Sequence, residues 1–550
     1  MTTPGWKNWA SEAPAPVEKK GRYIADMTPQ PLIRLLLAAA ALALAGCASL
    51  PPPQPAPRST APTDVAGTRL AQIARASTPP GSGPDAPSGF QLMPEGPTAL
   101  NARVALARQA QKSIDAQYYI LQADGSGLLF LHELLQAARR GVRVRLLVDD
   151  LYTAGKDELF AALASQPNFE LRLFNPLAVR TGPLTLRLAL SLGDVRRINR
   201  RMHNKLFVAD NSVAITGGRN IADEYFMRSD VANFIDMDVL ATGPVVPELS
   251  ASFDDYWNSA QVRAIGSLMR VPIDGEGTRE WLQANLVGKR EPLPERYTDV
   301  LGHPTIAAQL AAGRLEQTPG DGRAVADIPE KITIQDPEAS YADSVTQRTV
   351  AMLYGAREQV VMVSPYFIPG ERGLEMLEQG VKHGVEMIVL TNSLDATDES
   401  LVYAGYARYR MAMLKAGIRV YELGAKLAPR DHQLGDFKSS TGRLHSKLAI
   451  VDRRRMFIGS MNLDGRSARL NTEIGVLIDS PELAAQVGRF MPLRALGAYQ
   501  LQLTAGGTAV EWIEHNPDGT SKVITDEPGA HWLGSFRDWL LLRFLPEDLL

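Results

Sequence analysis

The alternation of apolar and polar positions becomes regular near residue 98, and the order in which its period changes then repeats. Ser113–Leu121 (SIDAQYYIL) is rich in β-formers and predicts a strand. Gly127–Arg140 predicts a helix, and after Gly141 the run Val142–Val148 (VRVRLLV) predicts another strand. Far downstream, Gln359–Ile368 (QVVMVSPYFI), Gly373–His383, Gly384 and Val385–Leu390 (VEMIVL) pass through the same order. Helix, glycine and Val-rich strand form the rhythm of a βαβ unit, and hence of a parallel or mixed sheet. The offset is 246 from Gly127 to Gly373, 243 from Gly141 to Gly384 and 242 from His203 to His445. One such rhythm is common; a register shared by three landmarks means duplication. The expected fold is α/β, with a first repeat over 98–270 and a second over 331–550 that includes a C-terminal tail.

The rest of the chain fits around these repeats. Residues 271–330 lack the repeat and hold Gly/Pro-rich pieces (Pro292–Pro294, Thr318–Gly322), so they predict a helical and loop connection. The apolar-aromatic end Trp539–Leu545 reads either as a strand or helix docking on the second half or as a membrane-surface contact. Leu35–Ala45 is an apolar run with Arg34 before it and Gly46-Cys47 after it. Eleven residues cannot cross roughly 30 Å of hydrocarbon at 1.5 Å per residue, so the run predicts a cleaved export signal over 27–46. Residues 1–26 are then either an upstream misassigned start or a leader extension. Twelve of the 37 prolines fall between Cys47 and Pro97, which predicts an extended linker over 47–97.

Composition narrows the class. The 58 Lys+Arg against 61 Asp+Glu leave a net charge of −3, which disfavours a dedicated nucleic-acid partner. With 45% hydrophobic and 22% charged residues the bulk is globular, and one cysteine, Cys47, excludes a disulfide scaffold.

The candidate chemistry sits at one place in each half. Arg201-Met-His203-Asn-Lys205-Leu-Phe-Val-Ala-Asp210 is followed by Gly217-Gly218-Arg219-Asn220. Arg443-Leu-His445-Ser-Lys447-Leu-Ala-Ile-Val-Asp452 is followed by Gly459-Ser460-Met461-Asn462. Alternate positions of an extended chain face one side, so His203 projects with Lys205 and His445 with Lys447, roughly 6–7 Å apart along the backbone. Asp210 and Asp452 complete the motif and join the catalytic set, although their parity suits them to holding the turn after the strand. A pseudo-twofold would bring the two pairs into one interface site. One neutral imidazole can then attack while the other, protonated, serves the leaving group. Two lysines and two asparagines suit the non-bridging oxygens of a phosphodiester. This chemistry needs no metal and no other cofactor.

The doubled motif resembles the phospholipase D superfamily. Asn199–Lys205, Ser364–Gly370, Thr391–Leu394, Tyr406–Arg410 and the ending Leu545–Asp548 are similar to its bacterial cardiolipin synthase branch, type-C members in particular. The resemblance implies two tandem α/β/α repeats and a two-step displacement through a phosphohistidine. His203 would be the nucleophile and His445 the acid that becomes the base, with Lys205, Lys447, Asn220, Asn462 and Ser460 around the phosphoryl group. Each imidazole needs a carboxylate to fix its tautomer. Aligning Glu473-Ile-Gly-Val-Leu with Asp236-Met-Asp-Val-Leu nominates Asp236 and Glu473, with Asp238 as a competitor. Gly218, where the second half has Ser460, would leave the first phosphate shell short of one hydroxyl.

The implied reaction is transfer of a phosphatidyl group from phosphatidylglycerol or phosphatidylethanolamine to a phosphatidylglycerol hydroxyl, giving cardiolipin. The alternatives are a phospholipase D hydrolysing phospholipids to phosphatidic acid, a secreted nuclease, or a non-enzymatic envelope lipoprotein. Leu44-Ala45-Gly46-Cys47 resembles the bacterial lipoprotein box, which implies lipidation of Cys47 and a periplasm-facing anchor, with Ala48-Ser49 favouring the outer membrane. The five arginines within Leu184–Arg201 suit an interfacial helix facing anionic headgroups. Nothing in the chain names an accessory protein.

Overall fold

Alternating and Val-rich segments pair into one long mixed sheet in a computed structural model of the chain. It describes residue 50 and residues 57–77, 87–287, 298–431, 434–490, 497–516 and 518–530. The expectations for 1–26, the signal at 27–46, Cys47 and Trp539–Leu545 lie outside the described residues.

The first half contributes β1 (Ser88–Met93), β2 (Ser113–Tyr118), β3 (Arg143–Asp149), β4 (Phe169–Phe174), β5 (Leu206–Ala209), β6 (Val213–Gly217), β7 (Ala232–Ile235), β8 (Asp238–Thr242) and β9 (Val262–Ala264). After β10 (Thr318–Ala326), the second half contributes β11 (Gln359–Val363), β12 (Glu386–Asn392), β13 (Arg419–Leu423), β14 (Thr441–Leu444), β15 (Leu448–Val451), β16 (Arg455–Gly459), β17 (Ile474–Asp479), β18 (Ala498–Leu503), β19 (Val510–His515) and β20 (Ser521–Ile524). In the first half the order is β9-β4-β3-β2-β5-β6-β8, parallel only within β2-β3-β4. The second half runs β17-β16-β15-β11-β12-β13-β18, parallel only within β11-β12-β13. β1 and β10 pair with each other and join β8 to β17, so the sheet crosses from one half to the other without a break. The tandem α/β architecture follows from this order.

Three of the four parallel steps are made by a helix followed closely by a glycine, Gly141, Gly384 or Gly417; the helix Asp157–Ala164 between β3 and β4 ends at Ser165 instead. Gly141 and Gly384 follow helices Gly125–Arg139 and Gly370–Lys382 with φ of +94° and +82°, the left-handed conformation that stops a helix and re-aims the chain. Helices cover one face of the first sheet, where Leu106, Leu134 and Phe160 pack with Ile114 and Val144. The other face meets the second half in a common core of Leu147, Leu206 and Val208 with Ile388, Leu448 and Ile450. Strands buried on both faces are rich in Val, Ile and Leu, which is why VRVRLLV and VEMIVL were legible as strands although Arg143, Arg145 and Glu386 interrupt them.

Several expected boundaries move. The strand expected over Gln359–Ile368 ends at Val363, because Ser364-Pro365 follows and proline offers no N–H to a ladder. The 47–97 linker is not uniformly extended: Arg69–Ser77 is a helix burying Leu70, Ile73 and Ala74, and β1 lies inside the sheet. Residues ahead of that helix also contact the body, since Arg145 donates to Ser59 O and Arg172 to Pro57 O. The 271–330 connection contains β10, whose Gly320 and Gly322 fit against Ile478 and Phe90 where a side chain would clash. Leu184–Arg201 breaks into the helical turns Leu184–Ala189, Leu192–Asp194 and Val195–Ile198. Among the described residues no helix is long and apolar enough to cross a membrane.

Candidate active site

The motif histidines are carried by two short backbone pairings that cross between the halves. Met202 bridges Thr472 in parallel, and His203 N donates to Thr472 O at 2.9 Å. In the mirror arrangement β14 pairs with β7, Leu444 lies beside Ile235, and His445 N donates to Ile235 O at 2.8 Å. One residue further along each pairing, an imidazole meets a carboxylate from the opposite half. His203 Nδ1 is 2.9 Å from Glu473 Oε2, and His445 Nδ1 is 2.6 Å from Asp236 Oδ2. Both Nδ1 atoms are thus occupied, so each Nε2 is left for a ligand.

The residue before each histidine is held from the end of the matching parallel strand of its own half, β3 or β12. Asp149, fully buried, accepts from Met202 N at 2.9 Å and takes the Arg201 guanidinium at 2.5 Å. Asn392 does the same in the second half, accepting from Leu444 N at 2.8 Å and donating to Leu444 O at 2.9 Å. Lys205 Nζ and Lys447 Nζ each donate to the carbonyl of their own histidine at 2.6 Å, leaving two N–H bonds on each ammonium for an anion. Aromatic rings line the pocket: Tyr119 is 5.1 Å from the His203 ring, Tyr225 is 5.0 Å from the His445 ring, and Tyr366 is 5.9 Å from Lys447 Nζ.

Burial dominates the electrostatics. Desolvation, reinforced by Lys205 and Lys447, holds both imidazoles well below their ordinary pKa, so both are neutral near pH 7. His445 feels His203 and both lysines, which places the four groups in one electrostatic cluster. Desolvation pushes Glu473 up to about 7 and Lys447 down to about 8, and it also lowers Lys205. The surroundings are not symmetric: Arg466 lowers His203, whereas Asp398 favours the protonated form of His445.

The phospholipase D-like domain of cardiolipin synthases matches residues 104–257 and 349–491. The chain belongs to this family. It is 37% identical over 421 residues to cardiolipin synthase C of Escherichia coli, covering 76% of this chain and 87% of that one. Cardiolipin synthase A of Yersinia pseudotuberculosis is 27% identical over 404 residues, covering 73% and 68%. Among solved structures, phosphatidylserine synthase of Haemophilus influenzae shares the fold with a TM-score of 0.52 at 15% identity, over 83% of this chain and 92% of that one. The chain is therefore an enzyme of the phospholipase D superfamily.

Within this phospholipase D-like frame the expected site residues divide. His203, Lys205, His445, Lys447, Asp236 and Glu473 come together as described. Asp238, the competitor of Asp236, instead takes Arg103 at 2.9 Å in a buried ion pair. Asp210 and Asp452, grouped with the catalytic set, are turn anchors. Asp210 accepts from the backbone N–H of Gln111, Lys112 and Ser113, and Asp452 from Arg357, Glu358 and Gln359. Both begin hairpin turns at positive φ, 50° and 52°, which aspartate tolerates better than most residues.

Ser460 is not a phosphate ligand in this arrangement, because its hydroxyl donates to Glu473 Oε2 at 2.5 Å and accepts from Ile474 N at 3.0 Å. Gly218 is correspondingly not a missing hydroxyl: a Cβ there would stand 2.1 Å from Asp236 Oδ1. Asn220 is braced between Ile120 N and Tyr225 Oη, whereas the buried Asn462 Oδ1 has no partner among the described residues. The interfacial reading of Leu184–Arg201 also changes. Arg187 pairs with Asp157, Arg197 with Asp194 and Arg201 with Asp149, while Arg200 donates to Lys331 O. Leu186, Leu190 and Val195 are large apolar residues of that segment that are exposed.

Sequence reasoning missed Asp149, Asn392, the tyrosines beside the motif residues and Ser467, whose hydroxyl donates to Glu473 Oε1 at 2.8 Å. Asp149 and Asn392 stand 243 apart, the offset already seen for Gly141 and Gly384, so the duplication register could have found them.

Proposed function

We propose that this chain is a phosphatidyltransferase that forms cardiolipin from phosphatidylglycerol and a second phosphatidylglycerol or phosphatidylethanolamine. The observation that carries the reading is the crossed pair of imidazole–carboxylate contacts, which leaves two Nε2 atoms and two ammonium groups around one pocket. An anionic phosphodiester entering between Lys205 and Lys447 offsets the positive field that depresses both imidazoles. His445, with Asp398 on its side, is then the group that gains a proton, and His203, with Arg466 on its side, stays neutral.

His203 Nε2 attacks phosphorus, the phosphorus–oxygen bond to the headgroup breaks, and His445 gives its proton to the departing alkoxide. The phosphohistidine carries the phosphatidyl group while the headgroup alcohol leaves. An incoming glycerol hydroxyl gives its proton to neutral His445 and attacks phosphorus, and the phosphorus–nitrogen bond breaks. Glu473 and Asp236 hold the Nδ1–H tautomers throughout and neutralise the imidazolium that forms.

The relatives named cardiolipin synthase support this substrate class. The lipoprotein-box-like Leu44-Ala45-Gly46-Cys47, followed by Ala48-Ser49, supports a tether through Cys47 on the periplasmic side of the envelope, at the outer membrane, beside the substrate. Exposed Leu186, Leu190 and Val195 give the body an apolar contact with a lipid surface.

Mass spectrometry of lipids made by the full chain from mixed phosphatidylglycerol and phosphatidylethanolamine, beside His203→Ala, tests the proposal. Cardiolipin with released glycerol or ethanolamine, absent in the variant, is expected. Phosphatidic acid as the sole product would mean that water is the acceptor and would overturn the transferase reading.

A further inference from the structure

Helix Gly370–Lys382 occupies the place that Gly125–Arg139 fills in the first half, yet the two pack differently. The first-half helix has 15 residues and leaves only Gly125, Gln136 and Arg139 outside its buried set. Its start is pinned by reciprocal caps: Asp124 accepts from Gly127 N and Asp223 N, and Asp223 accepts from Ser126 N, all within 2.9 Å. The second-half helix buries Leu377 alone and begins at Pro369 with no side-chain cap. Asp464, from the matching loop, caps Ser467 N of its own short helix instead.

Beneath the uncapped helix lies a cavity of about 650 Å³, floored by Leu353, Met362, Phe367 and Leu377. A second cavity of about 290 Å³ shares Leu353, Tyr354, Met376 and Leu377 with it and extends to Val360 and Met387. Protein interiors are close-packed with few voids larger than a water molecule, and ligand pockets measure roughly 300–1,000 Å³. The space is therefore sized for a ligand; its floor is aliphatic and aromatic, and the charged Glu338, Glu371, Arg372, Asp464 and Arg469 also line it. Three methionines, Met362, Met376 and Met387, give it a surface that adapts to varied shapes.

Two chain segments run from the catalytic site into the wall of the cavity. Phe367-Ile368-Pro369 leave directly from Tyr366, whose ring neighbours Lys447, and Leu463 leaves directly from Asn462. Phe367 bridges Leu463, and Ile368 N donates to Leu463 O at 2.8 Å, so the two segments form one wall. That wall starts one residue, ~3.8 Å of chain, beyond Tyr366 and Asn462. At the outer end Arg372 pairs with Glu338 at 3.3 Å, and Tyr354 is exposed.

We propose that this cavity seats one acyl chain of the phospholipid substrate, with its ester end at Phe367 and Leu463 and its methyl end toward Met387. The proposal rests on the reading that the substrate is a phospholipid. It makes the second half the lipid-selecting half of a chemically symmetric enzyme.

The test uses the full chain with monomeric phosphatidylglycerols of four- to eight-carbon chains. Each methylene that enters the cavity should raise kcat/KM about three- to fourfold. Val350→Trp, which fills the cavity from helix Val345–Tyr354, should flatten that chain-length dependence and cut kcat/KM on the longest substrate more than tenfold. Photolabelling by phosphatidylglycerol with a diazirine at its acyl terminus reads occupancy without turnover, and should mark peptides containing Leu353, Met376 or Met387 in both wild type and His203→Ala. Labels confined to other surfaces, or an unchanged chain-length slope in a folded Val350→Trp protein, would overturn the cavity assignment. Labelling at these peptides in a protein that makes no lipid product would instead overturn the transferase reading and leave the cavity standing.

Discussion

Glu473 and Asp236 do the same work by different means. Glu473 reaches His203 on a longer arm and is steadied by two hydroxyls, Ser460 at 2.5 Å and Ser467 at 2.8 Å. Asp236 reaches His445 on a shorter arm, takes the N–H of its neighbour Met237 at 2.7 Å, and occupies space that only a glycine at 218 leaves open. The duplicated halves thus keep the imidazole–carboxylate contact, which the chemistry requires, and vary what supports it. A serine aligned with a glycine is here an exchange of one buttress for another, not the loss of a ligand.

The comparison can be broken most sharply at the carboxylates. Glu473→Gln and Asp236→Asn preserve volume but let the amide favour the wrong imidazole tautomer, and each should lower kcat by roughly 10³–10⁴-fold. If the crossed pairing is correct, Glu473→Gln suppresses the phosphohistidine at His203, read by rapid quench and peptide mass spectrometry. Asp236→Asn should retain a burst with substrates whose leaving group needs no proton.

The pH profile follows from the same groups. Glu473, raised to about 7, accepts a proton as pH falls through that value and stops accepting from His203. Lys447, lowered to about 8, loses its charge as pH rises through that value. The free enzyme's kcat/KM should therefore fall on the acid side as Glu473 gains its proton and on the alkaline side as the two lysines lose charge, and Lys447→Arg should remove the part of the alkaline limb that Lys447 sets while leaving the part set by the lowered Lys205. Linkage runs the other way for stability. The folded chain keeps the Glu473 proton to about 7 while the unfolded chain releases it near the ordinary carboxylate value, so stability is lost as pH rises across that window, and Glu473→Gln should not show that loss.

A smaller effect is expected at Gly218→Ala, whose added carbon displaces Asp236. Misplacement by about 1 Å costs on the order of 10²-fold in kcat, and overpacking costs about 1–3 kcal/mol in thermal unfolding. The smallest is Ser460→Ala, because Ser467 still holds Glu473; kcat should fall about tenfold, or 1.4 kcal/mol, with KM nearly unchanged. An equal loss in Ser460→Ala and Gly218→Ala would mean that both positions act on the phosphate directly.

How far the chain could be read depended on whether a feature is local. VRVRLLV and VEMIVL declared themselves because a strand buried on both faces is rich in branched apolar residues, even where Arg143, Arg145 or Glu386 interrupts the run. Helix Arg69–Ser77 and β1 did not, since their patterns are short and lie among prolines. β10 was hidden for a related reason: its glycines weaken any strand signal, and it forms because β1 and β17 offer it edges on both sides. Aligning the halves nominated Asp236 and Glu473 but could not say which histidine each would meet.

That last choice marks the division. Sequence alone determined the duplication, the pairing of His203 with Lys205 and of His445 with Lys447, and the turn role of Asp210 and Asp452, because these depend on spacing along one strand or one hairpin. The crossed carboxylates, the buttressing role of Ser460, the space reserved by Gly218 and the hollow beneath Gly370–Lys382 were decided by tertiary structure. Each depends on how closely two segments more than ten residues apart approach, and that distance is set by packing in three dimensions, which the spacing of residues along the chain does not encode.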